Sequence, residues 1–326
     1  MIKKIAFISG ITGQDGSYLA EQLLEKGYKV YGLIRRTSTD NTWRIKGIIK
    51  DIELVTGDMI DQSSLSKAIH LIKPDEVYNL AAMSYVGASW MNSEYTMNVN
   101  TLGLLRLLEA VRSFGKKETR IYQASSSEQF GKILESPQSE STPFYPRSPY
   151  GISKVGAHWI AVNYKESYNM FISCGICFNH ESPRRGLEFL SRKVSHGAAK
   201  IYLKMAEHIE LGNLNAKRDW GYAPDYTRGM WQMLQLNAPD NFVLATGETY
   251  SIKDFVKAAF EAIEIYDWRK YIKQNPKYMR PAEVDYLKGR PHKAKWVFDW
   301  ETKTKFKELV KIMVDEDLAR LKQKNE

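Results

Sequence analysis

Three glycines near the N-terminus constrain the fold of this chain more than any other feature. Gly10, Gly13 and Gly16 stand three residues apart, directly after an apolar run at residues 4–9 and directly before a helical pattern. Such a loop allows a tight turn, a close approach of the backbone to a pyrophosphate and close packing of the helix on the strand. The first N–H groups of the helix then face the phosphates. The sequence therefore predicts a dinucleotide-binding strand–turn–helix unit.

The first half of the chain continues as an alternation of strands and helices. The patterns predict strands at residues 4–9, 29–34, 52–56, 76–81, 120–124 and 171–178, and helices at residues 17–25, 62–72, 95–114 and 148–168. This alternation is typical of right-handed βαβ crossovers and a parallel sheet. We therefore expect an α/β protein with a Rossmann-type, doubly wound parallel sheet.

The second half is less regular, and its length suggests a separate domain. The patterns predict helices at residues 189–205, 225–237, 252–264 and from 302 to the C-terminus, with one strand at 242–245. A chain of 326 residues corresponds to about two domains. We expect residues 1–178 to bind a dinucleotide and residues 179–326 to form a smaller, mixed α/β substrate-binding domain. About residues 212–250 are expected to return to the first sheet.

The composition excludes several classes of protein. Apolar residues make up 43% of the chain, but no run approaches the roughly 20 apolar residues of a membrane helix. The net charge of +9 comes from basic residues spread along the chain, so we expect no nucleic-acid partner. Lys3 and Lys4 precede an apolar run that is too short for a signal peptide. We therefore expect a cytoplasmic protein with no membrane partner.

Two cysteines, Cys174 and Cys177, precede His180 and resemble half of a metal site. A second pair of ligands is missing, and residues three apart on a strand point to opposite faces. We therefore expect two packed thiols and no metal.

The residues that follow the later strands indicate which dinucleotide is bound. An acidic residue after the second strand usually holds the ribose of NAD, whereas this chain has Arg35 and Arg36, which suit the 2′-phosphate of NADP. An exposed basic turn is the alternative. Asp58 and Met59 follow the third strand, where we expect them to contact adenine. The fourth strand is followed by small or apolar residues, where the cofactor passes close to the backbone: Leu80, Ala81 and Ala82.

Tyr150 and Lys154 indicate catalysis, because residues four apart share one face of a helix. The lysine ammonium and a cationic nicotinamide are expected to lower the tyrosine pKa from about 10 towards 7. The tyrosine would then be a general base for a hydroxyl proton. Ser126 and Glu128 stand at the end of the fifth strand, where such folds bind ligands. A polar loop with a helix cap is the alternative for these two residues.

Together these features resemble the extended short-chain dehydrogenase/reductases and, over nearly the whole chain, the GDP-mannose 4,6-dehydratase family. The most specific matching strings are residues 179–186, Asn-His-Glu-Ser-Pro-Arg-Arg-Gly, and residues 217–221, Lys-Arg-Asp-Trp-Gly. Further matches lie at residues 10–22, 34–38, 122–131, 143–154 and 280–285. The resemblance implies an NADP-dependent dehydratase that acts on a GDP-sugar.

The resemblance also implies a role for each matching residue. The catalytic positions are Ser126, Glu128, Tyr150 and Lys154. The cofactor positions are Gly10, Thr12, Gly13, Gln14, Asp15, Gly16, Arg35, Arg36, Asp58, Met59, Leu80, Ala81, Ala82, Tyr95, Tyr150, Lys154, His180 and Arg185. The substrate positions are Ser84, Asn179, Lys193, Arg218, Arg280 and Glu283. Helices 95–114 and 148–168 resemble a dimer interface and loop 35–44 a tetramer contact, so a homodimer or homotetramer is expected.

The chain departs from the family pattern in three places. Ser126 replaces the usual threonine, Met83 replaces a frequent glutamine, and the segment 264–278 is short. These changes leave open whether the sugar is mannose or a D-glycero-D-manno-heptose with one further carbon. A GDP-sugar epimerase or reductase is a further alternative, although Glu128 supplies a base that such chemistry does not need. A dinucleotide sensor without activity is a last alternative, but it would not need the four catalytic groups.

Overall fold

Seven parallel strands form the central sheet in the computed structural model, which describes residues 3–279 and 281–323. The strands are β1 (Ile5–Ser9), β2 (Lys29–Ile34), β3 (Glu53–Thr56), β4 (Glu76–Asn79), β5 (Arg120–Ser126), β6 (Phe171–Cys177), β7 (Asn179–Glu181), β8 (Ile209–Leu211), β9 (Lys217–Arg218), β10 (Trp220–Tyr222), β11 (Phe242–Leu244), β12 (Tyr250–Ser251) and β13 (Ile272–Gln274). The sheet order is β11-β6-β5-β4-β1-β2-β3, and every neighbouring pair is parallel. The predicted doubly wound sheet is confirmed.

Helices connect these strands and cover both faces of the sheet. They are α1 (Gln14–Glu25), α2 (Gln62–Ile72), α3 (Val86–Ser89), α4 (Ser93–Met97), α5 (Gly103–Phe114), α6 (Pro149–Tyr168), α7 (Leu190–Tyr202), α8 (Ala223–Met233), α9 (Ile252–Glu261), α10 (His292–Phe298) and α11 (Phe306–Gln323). A π-helical turn, Asn98–Leu102, joins α4 to α5 where one straight helix was predicted. The predicted helices and observed helices otherwise coincide within a few residues.

The largest difference near the glycine loop is the start of α1. The prediction began this helix at Ser17, but it begins at Gln14. The N–H of Gly13 donates to the carbonyl of Gly10 at 2.9 Å, and the N–H of Ser17 donates to the carbonyl of Gly13 at 3.2 Å. The first hydrogen bond of the helix therefore ends at Gly13. The loop between β1 and α1 is shorter than predicted, and the helix begins closer to β1.

Two- and three-residue strands in the second half were not predicted. They pair as β7 with β10, β8 with β13 and β9 with β12. Segments this short carry no alternation of apolar and polar residues, so periodicity gives no signal for them. The strand Phe242–Leu244, in contrast, pairs with β6 and extends the central sheet.

Separate apolar cores lie on the two faces of the sheet, and a third joins α7, α9 and α11. Cys177 packs in the first core and Cys174 in the second, as alternation along β6 requires. Both are buried free thiols. Within the described residues, no helix has the length and apolar character needed to cross a membrane.

Candidate functional site

A pocket of about 680 Å³ opens at the carboxyl ends of the central strands. Its wall contains many of the predicted site residues: Asp15, Leu80, Ala82, Ser84, Ser126, Glu128, Tyr150, Lys154, Asn179, His180, Arg185, Lys193, Arg218 and Glu283. Other predicted residues lie on the loops after β1, β2, β3 and β4, in the first turn of α1 and on α4: Gly10, Thr12, Gly13, Gln14, Gly16, Arg35, Arg36, Asp58, Met59, Ala81 and Tyr95. Arg280 lies outside the described residues.

The glycine loop is shaped so that its backbone lies against the end of β4. Gly10 has φ +75°, and a Cβ added there would lie 2.8 Å from the nitrogen of Ala81. A Cβ on Gly16 would lie 2.3 Å from the carbonyl oxygen of Gly10. Gly13 caps α1, and no side chain in the described chain bonds to the helix end in the usual capping manner. The loop therefore offers backbone N–H groups in a cradle without side chains, which fits a pyrophosphate.

The first turn of α1 is tied to the segment after β6. Gln14 Nε2 donates to the carbonyl of His180 at 3.0 Å, and Gln14 Oε1 accepts from Ser182 Oγ at 2.8 Å. His180 Nε2 lies 2.9 Å from Asp15 Oδ2. Burial opposes the charge on Asp15, but the charge and hydrogen bond of His180 outweigh it and lower the pKa of Asp15 to about 2. Arg44 adds a clamp, because it donates to the carbonyl oxygens of Thr12 and Arg184.

The charged residues after β2 are exposed, whereas the two residues after β3 are partly or fully buried. Arg35 and Arg36 are both exposed, and Arg35 Nη1 donates to Tyr95 Oη at 2.8 Å. Asp58 is half-buried, and its carboxylate accepts from the N–H of Ile60 at 3.2 Å. The Met59 side chain is only 4% exposed and packs in the core. An adenine contact through the Met59 side chain is therefore not supported, because that side chain fills the space between sheet and helices.

Tyr150 lies in the first turn of α6 and faces the end of β5. A side-chain hydrogen bond from Ser126 and the charge of Arg185 favour its phenolate, but burial raises its pKa to about 12. The expected downward shift, which also invoked a cationic nicotinamide, is thus wrong for the chain's own groups. Burial lowers the pKa of Lys154 to about 8. Lys154 Nζ donates to the carbonyl of Ala124 at 2.8 Å and stands 5.9 Å from the Tyr150 ring centre.

Glu128 is 8% exposed and belongs to a one-turn 3₁₀ helix that follows β5. Ser126 Oγ accepts from the N–H of Glu128 at 3.3 Å, and Gln129 Oε1 accepts from the N–H of Ser126 at 3.1 Å. Gln129 Nε2 also donates to the carbonyl of Lys154 at 2.7 Å. This capping box holds the hydroxyl, the carboxylate and the tyrosine helix as one unit.

The far end of the pocket combines cations with an unsatisfied amide. Asn179 Oδ1 is buried and has no hydrogen-bond partner in the described part of the chain. Lys193 Nζ lies 3.3 Å from the centre of the Tyr278 ring. Arg218 Nη2 lies 3.6 Å from Glu283 Oε1. These groups suit a ligand that carries both negative charge and hydrogen-bond donors.

Sequence reasoning missed several residues of the wall and misplaced another. Tyr278 lines the pocket, as do Tyr85 and Phe189, and none of the three was predicted as a site residue. The position of Tyr278 two residues before Arg280 in a matched string was an available signal. Met83 was expected beside the sugar, yet it is outside the wall and its side chain packs against an apolar core. The backbone of Met83 is held by Asn100, whose Oδ1 accepts its N–H at 2.8 Å.

Comparison with known proteins places the chain among nucleotide-sugar enzymes. A family model described as GDP-mannose 4,6 dehydratase matches residues 7–313. The GDP-mannose 4,6 dehydratase of Drosophila melanogaster is 50% identical, over 98% of this chain and 87% of that protein. The Homo sapiens protein of the same name is 47% identical, over 98% and 93%. A dTDP-glucose 4,6-dehydratase structure from Streptomyces venezuelae, with NAD bound, has a TM-score of 0.86 at 21% identity and covers 96% of both chains. At that identity the structural likeness shows the fold alone.

Proposed function

This chain belongs to the GDP-mannose 4,6 dehydratase family, and we propose that it converts GDP-mannose to its GDP-4-keto-6-deoxy derivative with loss of water. The observation that carries the proposal is the unit formed by Ser126, Glu128 and Tyr150 in one pocket wall, with Lys154 behind it. A tyrosine–lysine pair alone suits a simple oxidation of a hydroxyl group. The added buried carboxylate suits the proton transfers of an elimination.

The cofactor of the proposed reaction is NADP. The glycine cradle, the free end of α1 and the small residues after β4 fit a dinucleotide, and the exposed guanidinium groups of Arg35 and Arg36 fit a 2′-phosphate. A bound nicotinamide would supply the hydride acceptor for C4 of the sugar and the hydride donor for C6. The reaction has no net change of oxidation state, so the cofactor acts as a resident catalyst.

The chain's own residues manage the protons. Tyr150 takes the proton of the C4 hydroxyl; the Ser126 hydrogen bond and the Arg185 charge favour this step, against the cost of burial. Oxidation at C4 makes the C5 proton acidic, and Glu128 takes it. Glu128 and Ser126 then assist the departure of the C6 hydroxyl as water. Lys154, with a pKa of about 8, has two ammonium protons left to orient ligand oxygens beyond its bond to Ala124.

The GDP part of the substrate is proposed to lie at the far end of the pocket. Lys193 and Arg218 suit a diphosphate, and Glu283 suits the N–H edge of guanine. The heptose alternative drew on Met83, Ser126 and the short segment 264–278, of which Ser126 and Tyr278 line the pocket and Met83 does not. Mannose is the better proposal because the similar proteins are named for GDP-mannose. In this division residues 1–178 bind the cofactor and residues 179–326 bind the GDP-sugar, with strand Phe242–Leu244 as the returning part.

We also propose a homodimer or homotetramer in the cytoplasm. Support for self-association comes from large apolar side chains that are exposed along α6 and the turn before α5: Leu102 at 44%, Ile152 at 50% and Trp159 at 57%.

The proposal is tested with purified protein, GDP-mannose and NADP, with the product analysed by mass spectrometry and NMR. Tyr150→Phe should abolish oxidation. Glu128→Gln should retain oxidation at C4 and block elimination, so that the absorbance of reduced nicotinamide accumulates. The matched controls are Tyr168→Phe and Glu166→Gln, at exposed positions near the end of α6, the helix that carries Tyr150. Both controls should retain wild-type turnover.

Normal turnover by Glu128→Gln would refute the assigned base. A kcat/KM at least ten times higher for GDP-D-glycero-D-manno-heptose than for GDP-mannose would replace the proposed sugar and leave the mechanism intact, because one carbon is worth only about 1–3 kcal/mol in a pocket. Lack of reaction with both sugars would refute the proposed function.

A further inference from the structure

Asp15 and His180 form an ion pair where the glycine loop meets the segment after β6. Asp15 lies in the first turn of α1, His180 lies on β7, and both line the pocket. His180 Nε2 is 2.9 Å from Asp15 Oδ2, and His180 Nδ1 is 2.7 Å from the carbonyl oxygen of Phe178. Both ring nitrogens are therefore engaged at hydrogen-bond distance.

The two partners of the ring determine its protonation state. A carboxylate and a peptide carbonyl can only accept, whereas a neutral imidazole has a single N–H to donate. Both contacts are satisfied only when His180 carries both protons and is an imidazolium. The ring also stacks on Tyr226, with centres 4.6 Å apart and planes 14° from parallel, and an aromatic face attracts a cation.

The other charged groups around the ring act in opposite directions. Burial and the charge of Arg185 disfavour the imidazolium, whereas the charge of Asp15 and the two hydrogen bonds favour it, and the net effect raises the pKa of His180. From α8 the ring faces Tyr226, whose hydroxyl is buried and lacks a hydrogen-bond partner among the described residues. Gln14 fixes both members of the pair, since its Nε2 donates to Asp15 Oδ1 at 2.9 Å and to the carbonyl of His180 at 3.0 Å.

We propose that His180 is a positioning residue whose imidazolium neutralises Asp15, so that the N-terminal turn of α1 presents no net negative charge to the phosphates of a dinucleotide. A helix N-terminus attracts anions through its N–H groups and its dipole, and an uncompensated carboxylate in the first turn would oppose that attraction. The role of His180 is thus to act on the cofactor through Asp15. This inference rests on the proposed dinucleotide site.

The test compares charge removal in one member with charge removal in both. His180→Gln removes the hydrogen-bonded cation of Asp15 and leaves only the more distant charges of Arg185 and Lys154 to offset the carboxylate. Asp15→Asn removes the repulsive charge, and the double variant restores a neutral pair. The Asp15 carboxylate and a cofactor phosphate about 8 Å apart, at an effective dielectric constant of about 20, would repel each other enough to raise the dissociation constant about thirtyfold. We expect NADP binding, measured by calorimetry, to weaken about thirtyfold in His180→Gln. Adding Asp15→Asn to His180→Gln should recover at least about tenfold of that loss in the double variant. His208→Gln, a histidine far along the chain beside Glu210, is the control.

Three outcomes of the binding measurements would overturn the inference. If the double variant binds as weakly as His180→Gln or more weakly, His180 contacts the cofactor directly or serves only the structure, and the inference is overturned. If both single variants bind like wild type, the inference is also overturned. If the wild type binds neither NADP nor NAD, the proposed cofactor site fails, and the inference fails with it.

A second measurement reports the protonation state of the His180 ring directly in the wild-type protein. In wild-type protein with ¹⁵N-labelled histidine, NMR should show His180 with protons on both nitrogens at neutral pH; the signal is assigned by replacing the other five of the six histidines. Because the pKa of His180 is raised, NADP affinity should be retained at lower pH and fall as pH rises through that pKa. Lys154 also titrates, so the profile is compared with that of His180→Gln, which should lack the His180 step. A singly protonated His180 at neutral pH would overturn the inference.

Discussion

Replacing Asp317 should destabilise the chain more than any surface change on the same helix. Its carboxylate is 1% exposed and lies in α11, where it accepts from Arg192 Nε and Nη2 at 2.6–3.0 Å and from Ser195 Oγ at 2.7 Å. Arg192 Nη1 donates in turn to the carbonyl oxygens of Pro183 and Arg185. The pair therefore joins the C-terminal helix to the segment that carries a pocket arginine.

The magnitude follows from what Asp317→Ala leaves behind. Removing one partner of a buried, hydrogen-bonded ion pair costs about 3–5 kcal/mol, because the other charge stays buried without compensation. The hydroxyl of Ser195 also loses this acceptor and keeps only its longer bond to the Arg192 carbonyl at 3.3 Å, which adds up to about 1 kcal/mol. Arg192→Met should cost a similar amount, since it leaves the carboxylate without its buried cation and the Arg185 carbonyl without this donor, whereas the Pro183 carbonyl keeps its bond from Arg320. The double variant should be at least as stable as the less stable of the two single variants. The losses of the two single variants are then not additive, and the coupling energy between Asp317 and Arg192 is at least about 2 kcal/mol.

Equilibrium unfolding in urea of the four proteins measures these free energies. The control is Asp315→Ala, which breaks the exposed Lys311–Asp315 pair of the same helix and should change stability by less than about 1 kcal/mol. Burial opposes ionisation of Asp317, but hydrogen bonds from His196 and Arg192 and the arginine charge prevail and lower its pKa. Its contribution is therefore present above the unfolded-state pKa and is lost as pH falls through the folded-state pKa. A loss for Asp317→Ala as small as that of the control would refute the reasoning.

Two further changes test the cofactor loop. Gly10→Ala should lower stability and weaken dinucleotide binding at least about tenfold, because its Cβ would lie 2.8 Å from Ala81 at φ +75°; Gly27→Ala, at φ +79° with nothing within 4 Å, should show only the smaller strain in a thermal melt. Arg35→Asp should lower the preference for NADP over NAD at least about tenfold in calorimetric titrations, whereas the exposed Lys50→Asp makes the same charge change without this effect. Equal affinity of the wild type for both dinucleotides would contradict the role of Arg35.

The central sheet could be predicted from the sequence because strand patterns and long helix patterns alternate along the first half of the chain. Residues 29–34 and 62–72 were predicted with the bounds that the structure shows, since glycine, proline and capping signals flank them. The start of α1 was predicted too late, because helix propensity does not reveal that the N–H of Ser17 donates to the carbonyl of Gly13. The short strands β7 to β10 depend on pairing between distant segments, which leaves no local pattern.

Many of the predicted site residues lie in one pocket wall, whereas their environments did not follow from the sequence. Tyr150 and Lys154 lie in the predicted wall, but the direction of the tyrosine pKa depends on burial, which spacing does not give. Met83 and Met59 were placed by their neighbours in the chain, and both side chains turn into the core instead. A strand end exposes alternate side chains, so a one-residue difference decides between pocket and core.

The positive charge of the whole chain is not what prepares the pocket for an anionic substrate. Most charges in the wall are matched by a neighbour of opposite sign, in the pairs Asp15–His180, Glu181–Arg185 and Glu283–Arg218. Paired charges produce a weak field beyond their own contact. Lys193 lies outside these pairs, as do Lys154 and Lys277 of the same wall. Its ammonium lies on the uncharged ring of Tyr278, and a cation–π contact leaves the full charge in place. Attraction of a diphosphate should therefore depend on Lys193 more than on the net charge of +9, which is spread over lysines far from the site.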